Sequence, residues 1–307
     1  MTLLVVGSVA YDSVSTAAGT REDALGGSAT YFSVSSSFFT KVSVVAVIGD
    51  DFLESDKKKL LDYKIDISNL STESGNTFRW KGVYDTSDVN IRETLDTQLN
   101  VFENFNPILS NSNKQSDYLF LANIAPELQM KTLTQMSKRP KIVALDTMNF
   151  WIDDHKKDLT SIIEKVDILF MDNKEISSFT GETNLIAAAR RIEEIGPSTI
   201  VIKKGEHGVI MFNKGDVFTA PALPIANVID PTGAGDSFAG GFMGYIAKTN
   251  DTSNENLRRA IIAGSVMGSL AIEGFSIERF NKLTKNEIDD RFSRFIDITS
   301  FKTTGIT

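Results

Sequence analysis

One run of seven residues, Asp230-Pro231-Thr232-Gly233-Ala234-Gly235-Asp236, places small residues and a final carboxylate just before an apolar stretch. Because proline lacks a backbone N–H and suits a helix start, the pattern predicts a loop that turns into a helix. The first turn of a helix offers unpaired N–H groups and partial positive charge, and small residues let an anion approach them. An anion site beside a proton acceptor is what phosphoryl transfer to a hydroxyl requires.

A plainer interpretation is that Asp236 only complements the helix dipole and that the glycines only form a turn. Two other phosphate motifs are excluded by the sequence. It contains no Gly-x-x-x-x-Gly-Lys-Ser/Thr run of the P-loop type, and Phe238 stands where a dinucleotide fingerprint would need its third glycine.

Over the fourteen positions 230–243, the sequence resembles the C-terminal signature of the PfkB/ribokinase family of carbohydrate and nucleoside kinases. The resemblance implies that Asp236 is the base that accepts the proton of the substrate hydroxyl. It also implies that the backbone amides of Gly233, Ala234, Gly235 and Asp236 form the anion hole. The implied cofactors are ATP and Mg²⁺, and a K⁺ ion near the anion hole is a family feature that the sequence leaves open.

The same resemblance implies three further sets of site residues. The acceptor would be bound by Asp12, Gly26, Gly27, Tyr31 and Asn149. The nucleotide would lie against Lys203, Gly205, Gly208, Thr232, Gly264 and Gly274. The metal would be organised by Glu175 and Asp172, which match the family's Asn-x-x-Glu except at the first position.

Two of these positions depart from the family pattern. The family often has Asn where Tyr31 stands, so the identity of the substrate stays open. Asp172 stands where the family has Asn, and its extra negative charge would strengthen cation binding. Alternatively, the alignment with the family motif is shifted by one residue, and Asn173 is the polar residue that matches the family's Asn. Capping of the following helix is the alternative function of Asp172.

Continuous apolar runs that alternate with helical patterns predict buried parallel strands. The predicted strands cover residues 3–9, 42–48, 117–122, 141–145, 166–171, 199–203 and 209–212. The expected fold is therefore α/β: a ribokinase-like three-layer α/β/α sandwich with a mostly parallel central sheet. We expect one domain over residues 1–307.

Two insertions, at about 12–25 and 75–102, alternate like two-faced strands and predict a small β-strand lid over the site. Phe78 and Trp80 would face a ligand or a partner lid, or belong to a half-exposed sheet buried by oligomerisation. Arg79, Lys81 and Arg92 would bind phosphate or point into solvent. The sequence also predicts that two copies of the chain form a homodimer through their lids.

The composition limits the function classes further. The net charge of −8 argues against nucleic acid as the main partner, and the absence of cysteine excludes disulfides and thiolate chemistry. No apolar run approaches the length of a membrane span, and no signal peptide is evident, so a cytoplasmic location is expected. Only two histidines occur, His155 and His207, which disfavours metal sites or triads built on histidine.

The sequence thus predicts an ATP-dependent kinase that phosphorylates a hydroxyl of a sugar or a sugar-containing small molecule. A nucleoside kinase of the same fold is the alternative, favoured weakly by Phe78, Trp80 and Tyr31. The alternative from another class is a regulatory protein that binds nucleotide or sugar without turnover.

Overall fold

The computed structural model describes residues 1–300, in which thirteen strands form two separate sheets. The strands are β1 (Thr2–Val6), β2 (Ala10–Thr16), β3 (Gly19–Gly26), β4 (Lys41–Gly49), β5 (Asp66–Glu73), β6 (Arg79–Tyr84), β7 (Arg92–Gln98), β8 (Tyr118–Leu121), β9 (Ile142–Asp146), β10 (Ile168–Asp172), β11 (Thr199–Lys203), β12 (Val209–Asn213) and β13 (Asp216–Ala220).

The larger sheet has nine strands in the order β13-β12-β11-β10-β9-β8-β1-β4-β5. All neighbouring pairs from β11 to β5 are parallel, whereas β12 runs antiparallel to both β11 and β13. The prediction of a mostly parallel sheet is therefore confirmed. Because the strands are parallel, their carboxyl ends meet at one edge, which is where ligands bind in open α/β sheets.

Ten α-helices in the described part connect and cover these strands. They are α1 (Ser28–Ser37), α2 (Glu54–Asp62), α3 (Pro126–Thr134), α4 (Asn149–Asp154), α5 (Lys156–Ile163), α6 (Asn173–Thr180), α7 (Leu185–Ile195), α8 (Ala234–Thr249), α9 (Asn254–Ala271) and α10 (Lys285–Thr299).

The two faces of the large sheet are covered by separate hydrophobic cores. Leu3 and Val5 of β1 point to the core formed with α1, α8 and α9, whereas Leu4 and Val6 point to the core formed with α5, α6 and α7. This alternation follows from the two-residue period of a strand, and all four side chains are fully buried. The three-layer α/β/α arrangement is thereby confirmed.

The smaller sheet contains four strands in the order β3-β2-β6-β7. The β2–β3 and β6–β7 pairs are antiparallel hairpins, and the parallel β2–β6 pair joins them. We call this sheet, residues 10–26 and 79–98, the lid. The second hairpin lies within the predicted insertion 75–102, whereas the first extends two residues before and one residue beyond the predicted 12–25.

Two edge strands escaped the sequence prediction. β5 and β13 are largely exposed, and neither contains the continuous apolar run that marks a buried strand. The last helix, α10, ends at Thr299, and residues 301–307 lie outside the described residues. Within residues 1–300, no helix has both the length and the apolar character needed to cross a membrane.

Candidate functional site

The start of α8 provides a cluster of backbone donors. Gly233 precedes the helix with φ +72°, a conformation that favours glycine, and it turns the chain into the first helical residue, Ala234. The Ala234 amide donates to the carbonyl of Pro231 at 3.2 Å. Across residues 1–300, no hydrogen-bond acceptor faces the amides of Gly233, Gly235 and Asp236. Three of the four predicted donors thus remain available to an anion, which fits a phosphoryl group.

Asp236 lies in the first turn of α8 and is partly buried. Burial raises the pKa of its carboxyl group to about 7, and the nearby Asp146 carboxylate raises it further, whereas Lys203 opposes this change. A carboxyl group with a pKa near neutral pH is well matched to accepting a proton from a hydroxyl. The environment of Asp236 therefore supports its predicted function as the base.

Lys203 and Asp146 form an ion pair at the floor of the site. Lys203 ends β11 and Asp146 ends β9, so both side chains emerge at the carboxyl edge of the sheet. The Lys203 Nζ lies 2.9 and 2.8 Å from the two Asp146 carboxylate oxygens. A Cβ added to Gly235 would lie 3.3 Å from the same Nζ. Lys203, predicted to bind nucleotide, is therefore placed beside the anion hole.

The predicted acceptor residues Asp12, Gly26, Gly27 and Tyr31 come together where β2 and β3 meet α1. Asp12 is 5% exposed, and its Oδ2 accepts hydrogen bonds from the Gly27 amide at 3.4 Å and from the Tyr31 hydroxyl at 3.2 Å. A Cβ at Gly26 would lie 2.0 Å from that Oδ2, so a larger residue there would displace the Asp12 carboxylate. Burial raises the pKa of Asp12 to about 7, and the two hydrogen bonds oppose this change.

Asn149 is exposed at the start of α4, three residues beyond Asp146, and its side chain has no hydrogen bond within residues 1–300. Its proximity to the acceptor stays a prediction. Gly205 and Gly208 both have positive φ in the turn after β11, and a Cβ at Gly208 would lie 2.1 Å from the Ala220 carbonyl oxygen. The geometry of that turn therefore depends on glycine.

Gly264 and Gly274 are placed by packing. A Cβ at Gly264 would lie 2.7 Å from the carbonyl oxygen of Phe238, so this glycine allows α9 to approach α8 closely. Gly274 lies in the turn after α9, where a Cβ would be 3.2 Å from the Arg279 amide. These contacts give both glycines a structural function, and their contact with nucleotide stays a prediction.

Asp172 and Glu175 form a capping box at the start of α6. Asp172 Oδ1 accepts from the Lys174 and Glu175 amides at 2.7 Å, and Glu175 Oε2 accepts from the Asp172 amide at 2.6 Å. The capping function considered for Asp172 is therefore observed. Burial raises the pKa of Glu175 to about 8, an effect that Lys203 opposes. Each carboxyl group keeps one oxygen outside the capping contacts, so oxygen ligands for a hard cation remain.

A family model described as pfkB family carbohydrate kinase matches residues 2–279. The chain belongs to this family. Enzymes of the family are phosphotransferases with an alcohol group as acceptor, and this chain is an ATP-dependent kinase for a sugar or nucleoside.

Curated relatives include kinases for several acceptors. The chain is 30% identical to "Cytidine kinase" of Thermococcus kodakarensis over 251 residues, which cover 79% of this chain and 88% of that protein. It is 25% identical to "Nucleoside kinase" of Methanocaldococcus jannaschii over 75% of this chain and 72% of that protein. It is 22% identical to "Inositol 3-kinase" of Arabidopsis thaliana over 95% of this chain and 80% of that protein.

Solved structures share the fold. The crystal structure of the Methanocaldococcus jannaschii nucleoside kinase aligns with a TM-score of 0.76 at 20% identity, covering 95% of this chain and 98% of that one. A putative Ribokinase II from E. coli in complex with ATP and Mg²⁺ aligns with a TM-score of 0.80 at 16% identity, covering 95% and 99%. The ribokinase-like fold expected from the sequence is thereby confirmed.

The inner face of the lid adds Tyr84, which the sequence did not assign to the site. Tyr84 is 6% exposed, and its hydroxyl accepts from the Thr232 hydroxyl at 3.2 Å, which joins the lid to the loop before α8. Trp80, Gly82 and Tyr84 share this face of β6 because side chains alternate along a strand. The alternation of side chains along β6 can be read from the sequence, but the contact between Tyr84 and the loop before α8 cannot.

The Trp80 ring covers Gly82, where an added Cβ would be 2.2 Å from the ring. Arg92 of the neighbouring strand β7 places its guanidinium 5.2 Å from the centre of the same ring. Tyr84 contacts the loop before α8, so this face of the lid is directed at the start of α8. On the same face the lid presents the Trp80 ring and the Arg92 guanidinium.

The other lid residues considered from the sequence have structural contacts. Phe78 is half-buried and stacks on Phe102 with ring centres 5.4 Å apart, and its contact with a ligand or a partner lid stays a prediction. Arg79 forms ion pairs with Asp51 and Asp23, and Lys81 pairs with Glu22. Arg92 differs, because no carboxylate within residues 1–300 lies in ion-pair distance of it.

We expect Arg92→Gln to weaken the enzyme mainly at acidic pH. The positive charge of Arg92 lowers the pKa values of Asp12 and Asp236, so its removal raises both. The acidic limb of the pH–rate profile should move to higher pH by about half a unit, a small shift because Arg92 is exposed. Lys81→Gln is the matched lid control and should leave the profile unchanged. Identical profiles for the two variants would contradict the assignment of Arg92 to the site.

Proposed function

We propose that the acceptor is a nucleoside and that Asp236 deprotonates one of its ribose hydroxyl groups. The single observation that carries this proposal is the Trp80 ring that covers Gly82 on the inner face of the lid. A nucleobase has a flat face of similar size that can stack on this ring. The relatives named as cytidine kinase and nucleoside kinase support the same acceptor class.

In this proposal the ribose lies between Asp12 and the start of α8. The Asp12 carboxylate accepts hydrogen bonds from ribose hydroxyls, and the base extends toward Trp80. The amides of Gly233, Gly235 and Asp236 stabilise the phosphoryl group during transfer, and Asp236 takes the proton. Most of the rate enhancement comes from positioning and charge stabilisation, because phosphoryl transfer needs little covalent chemistry from the protein.

The donor in this proposal is ATP with Mg²⁺. Glu175 and Asp172 would hold the metal through their free carboxylate oxygens and bound water, and the ion would neutralise phosphate charge. Nucleotide would lie along Lys203, Gly205, Gly208 and Thr232, with Gly264 and Gly274 behind it. A requirement for K⁺ stays a prediction, as do the cytoplasmic location and the absence of a nucleic-acid partner.

The test measures ADP formation from ATP and Mg²⁺ in the presence of each member of a panel of nucleosides, free sugars and inositol. Wild type should phosphorylate at least one nucleoside more efficiently than ribose. Trp80→Ala should raise the KM for that nucleoside about 5- to 150-fold, since stacking of one base contributes about 1–3 kcal/mol. The same variant should leave the KM for ribose unchanged. Phe150→Ala, which removes an exposed aromatic outside the lid, is the control.

A free sugar or polyol is the second candidate, favoured by the inositol 3-kinase relative, which matches 95% of this chain. If the enzyme phosphorylates such an acceptor, and if Trp80→Ala keeps full activity toward it, the acceptor is a sugar or polyol and the nucleoside proposal is wrong. A regulatory protein without turnover is disfavoured by the combination of Asp236 with three available amides.

We further infer that the chain forms a homodimer through the lid. All seven residues of the edge strand β7 are exposed, and Leu95 is 52% exposed at its centre. An open strand edge with an exposed apolar residue favours pairing with a second copy. Leu95→Lys should convert dimer to monomer in light-scattering measurements, whereas Leu61→Lys, at an equally exposed leucine of α2, should not. A wild-type monomer would contradict this inference.

A further inference from the structure

Tyr31 connects the two halves of the site through a single side chain. It lies in the first turns of α1 and is 2% exposed. Its hydroxyl donates to Asp12 Oδ2 at 3.2 Å, as described above. Its ring lies directly against Gly233, because a Cβ added to that glycine would fall 2.3–2.4 Å from three ring carbons. One rigid phenol therefore spans the distance from the acceptor carboxylate to the first amide of the anion hole.

The positions of the three residues are interdependent. Gly233 has φ +72°, its carbonyl accepts from the Ser237 amide at 2.8 Å, and the Tyr31 ring fills the space beside its Cα. The Tyr31 ring blocks movement of that peptide toward the acceptor side, and the hydroxyl orients the Asp12 carboxylate. A shorter side chain, such as the Asn that the resembling family often has at this position, would be too short to make both contacts at once.

We propose that Tyr31 is a positioning residue that fixes the acceptor carboxylate of Asp12 relative to the Gly233 amide. The hydroxyl held by Asp12 is thereby aligned with the phosphoryl group over the start of α8. This inference rests on the kinase activity and on the assignment of Asp12 to the acceptor, and it does not depend on which acceptor is used.

The charge environment of Asp12 provides a readout that simple packing would not change. Asp12 faces the Tyr31 hydroxyl on α1, Asp230 before α8 and Arg92 on the lid, and Asp236 lies within electrostatic range. The hydrogen bond from Tyr31 lowers the pKa of Asp12 against the effect of burial. Removal of the hydroxyl therefore raises that pKa, so the acidic limb of kcat/KM for the acceptor should move to higher pH.

The experiment compares Tyr31→Phe, Tyr31→Leu and wild type with whichever acceptor wild type phosphorylates fastest. Tyr31→Phe should raise the acceptor KM about tenfold, as expected for one lost hydrogen bond to a charged group, and should leave the KM for ATP unchanged. Tyr31→Leu also loses the flat ring against Gly233. It should lower kcat about a hundredfold, and ADP formation should exceed formation of phosphorylated acceptor.

Tyr11→Phe is the matched control. Tyr11 is 3% exposed, donates to the Asp56 carboxylate at 2.9 Å and accepts from the Leu53 amide at 3.0 Å, away from α8, so its variant loses a tyrosine–carboxylate hydrogen bond together with the Leu53 contact. The proposal is overturned if Tyr31→Phe and Tyr11→Phe have the same kinetics. It is also overturned if Tyr31→Phe changes the KM for the acceptor and the KM for ATP by the same factor. If Tyr31→Leu does not fold, the Tyr31→Phe comparison still decides. A free sugar serves as acceptor equally well, so failure of the nucleoside assignment does not affect this test.

Discussion

Replacement of Asp236 by Asn should lower kcat by about three orders of magnitude while leaving the affinity for ATP nearly unchanged. General-base catalysis contributes about 10²- to 10⁴-fold, and Asn keeps the shape of the side chain without its basicity. The backbone amides of Gly233, Gly235 and Asp236 remain in place, so phosphate binding should persist. Steady-state kinetics and ATP titration measure the two quantities separately.

The same variant should be at least as stable as wild type above pH 7. Burial raises the pKa of the folded Asp236 carboxyl to about 7, above its usual value of 3.8. A carboxyl group with a raised pKa stabilises the folded state only while it is protonated, so its contribution is lost as pH rises through 7. Asn carries no charge at any of these pH values, and its melting temperature should therefore equal or exceed that of wild type at pH 8.

The pH dependence of wild-type kcat/KM should show an acidic limb with an apparent pKa near 7 for the same reason, because kcat/KM reports groups of the free enzyme. Asp62→Asn, a change at an exposed carboxylate at the end of α2, serves as the control and should retain wild-type activity. An Asp236→Asn enzyme with wild-type kcat would show that another group accepts the proton. A large loss of stability would show instead that Asp236 has a structural function.

Replacement of Lys203 by Met should destabilise the fold by about 3–5 kcal/mol at pH 8 and should strongly reduce activity. The Lys203 and Asp146 side chains are only 19% and 5% exposed, and removal of the lysine leaves the Asp146 charge buried without its partner. Glu175 and Asp236 also lie within electrostatic range of Lys203, which lowers the pKa of both carboxyl groups. Without Lys203, the pKa values of the Glu175 and Asp236 carboxyl groups rise.

The stability deficit of Lys203→Met should therefore decrease as pH falls. Protonation neutralises the carboxyl groups that the lysine no longer balances, so denaturation should show a smaller deficit at pH 5 than at pH 8. The double variant Lys203→Met/Asp146→Leu removes both charges and should recover most of the stability but not the activity. A single variant as stable as wild type at pH 8 would contradict the proposed importance of this pair.

Local chemistry was sufficient to predict much of the site. The loop and helix at 230–243 follow from neighbouring residues, since proline and glycine determine where the helix starts. The buried parallel strands are marked by their apolar runs, and the capping function of Asp172 depends only on residues within its own turn. The edge strands β5 and β13 were missed because exposed strands carry no such apolar signal.

Long-range contacts decided the remaining features. Tyr31 meets Gly233, Lys203 meets Asp146, and Tyr84 of the lid meets Thr232, although each pair is far apart in the sequence. Only the parallel sheet brings strand ends to one edge, and only the packing of α1 against α8 brings the Tyr31 ring to the anion hole. The sequence by itself therefore determined the type of chemistry, because helix and strand signals depend on near neighbours. The tertiary structure determined which side chains act together, because burial and charge coupling depend on distance in space.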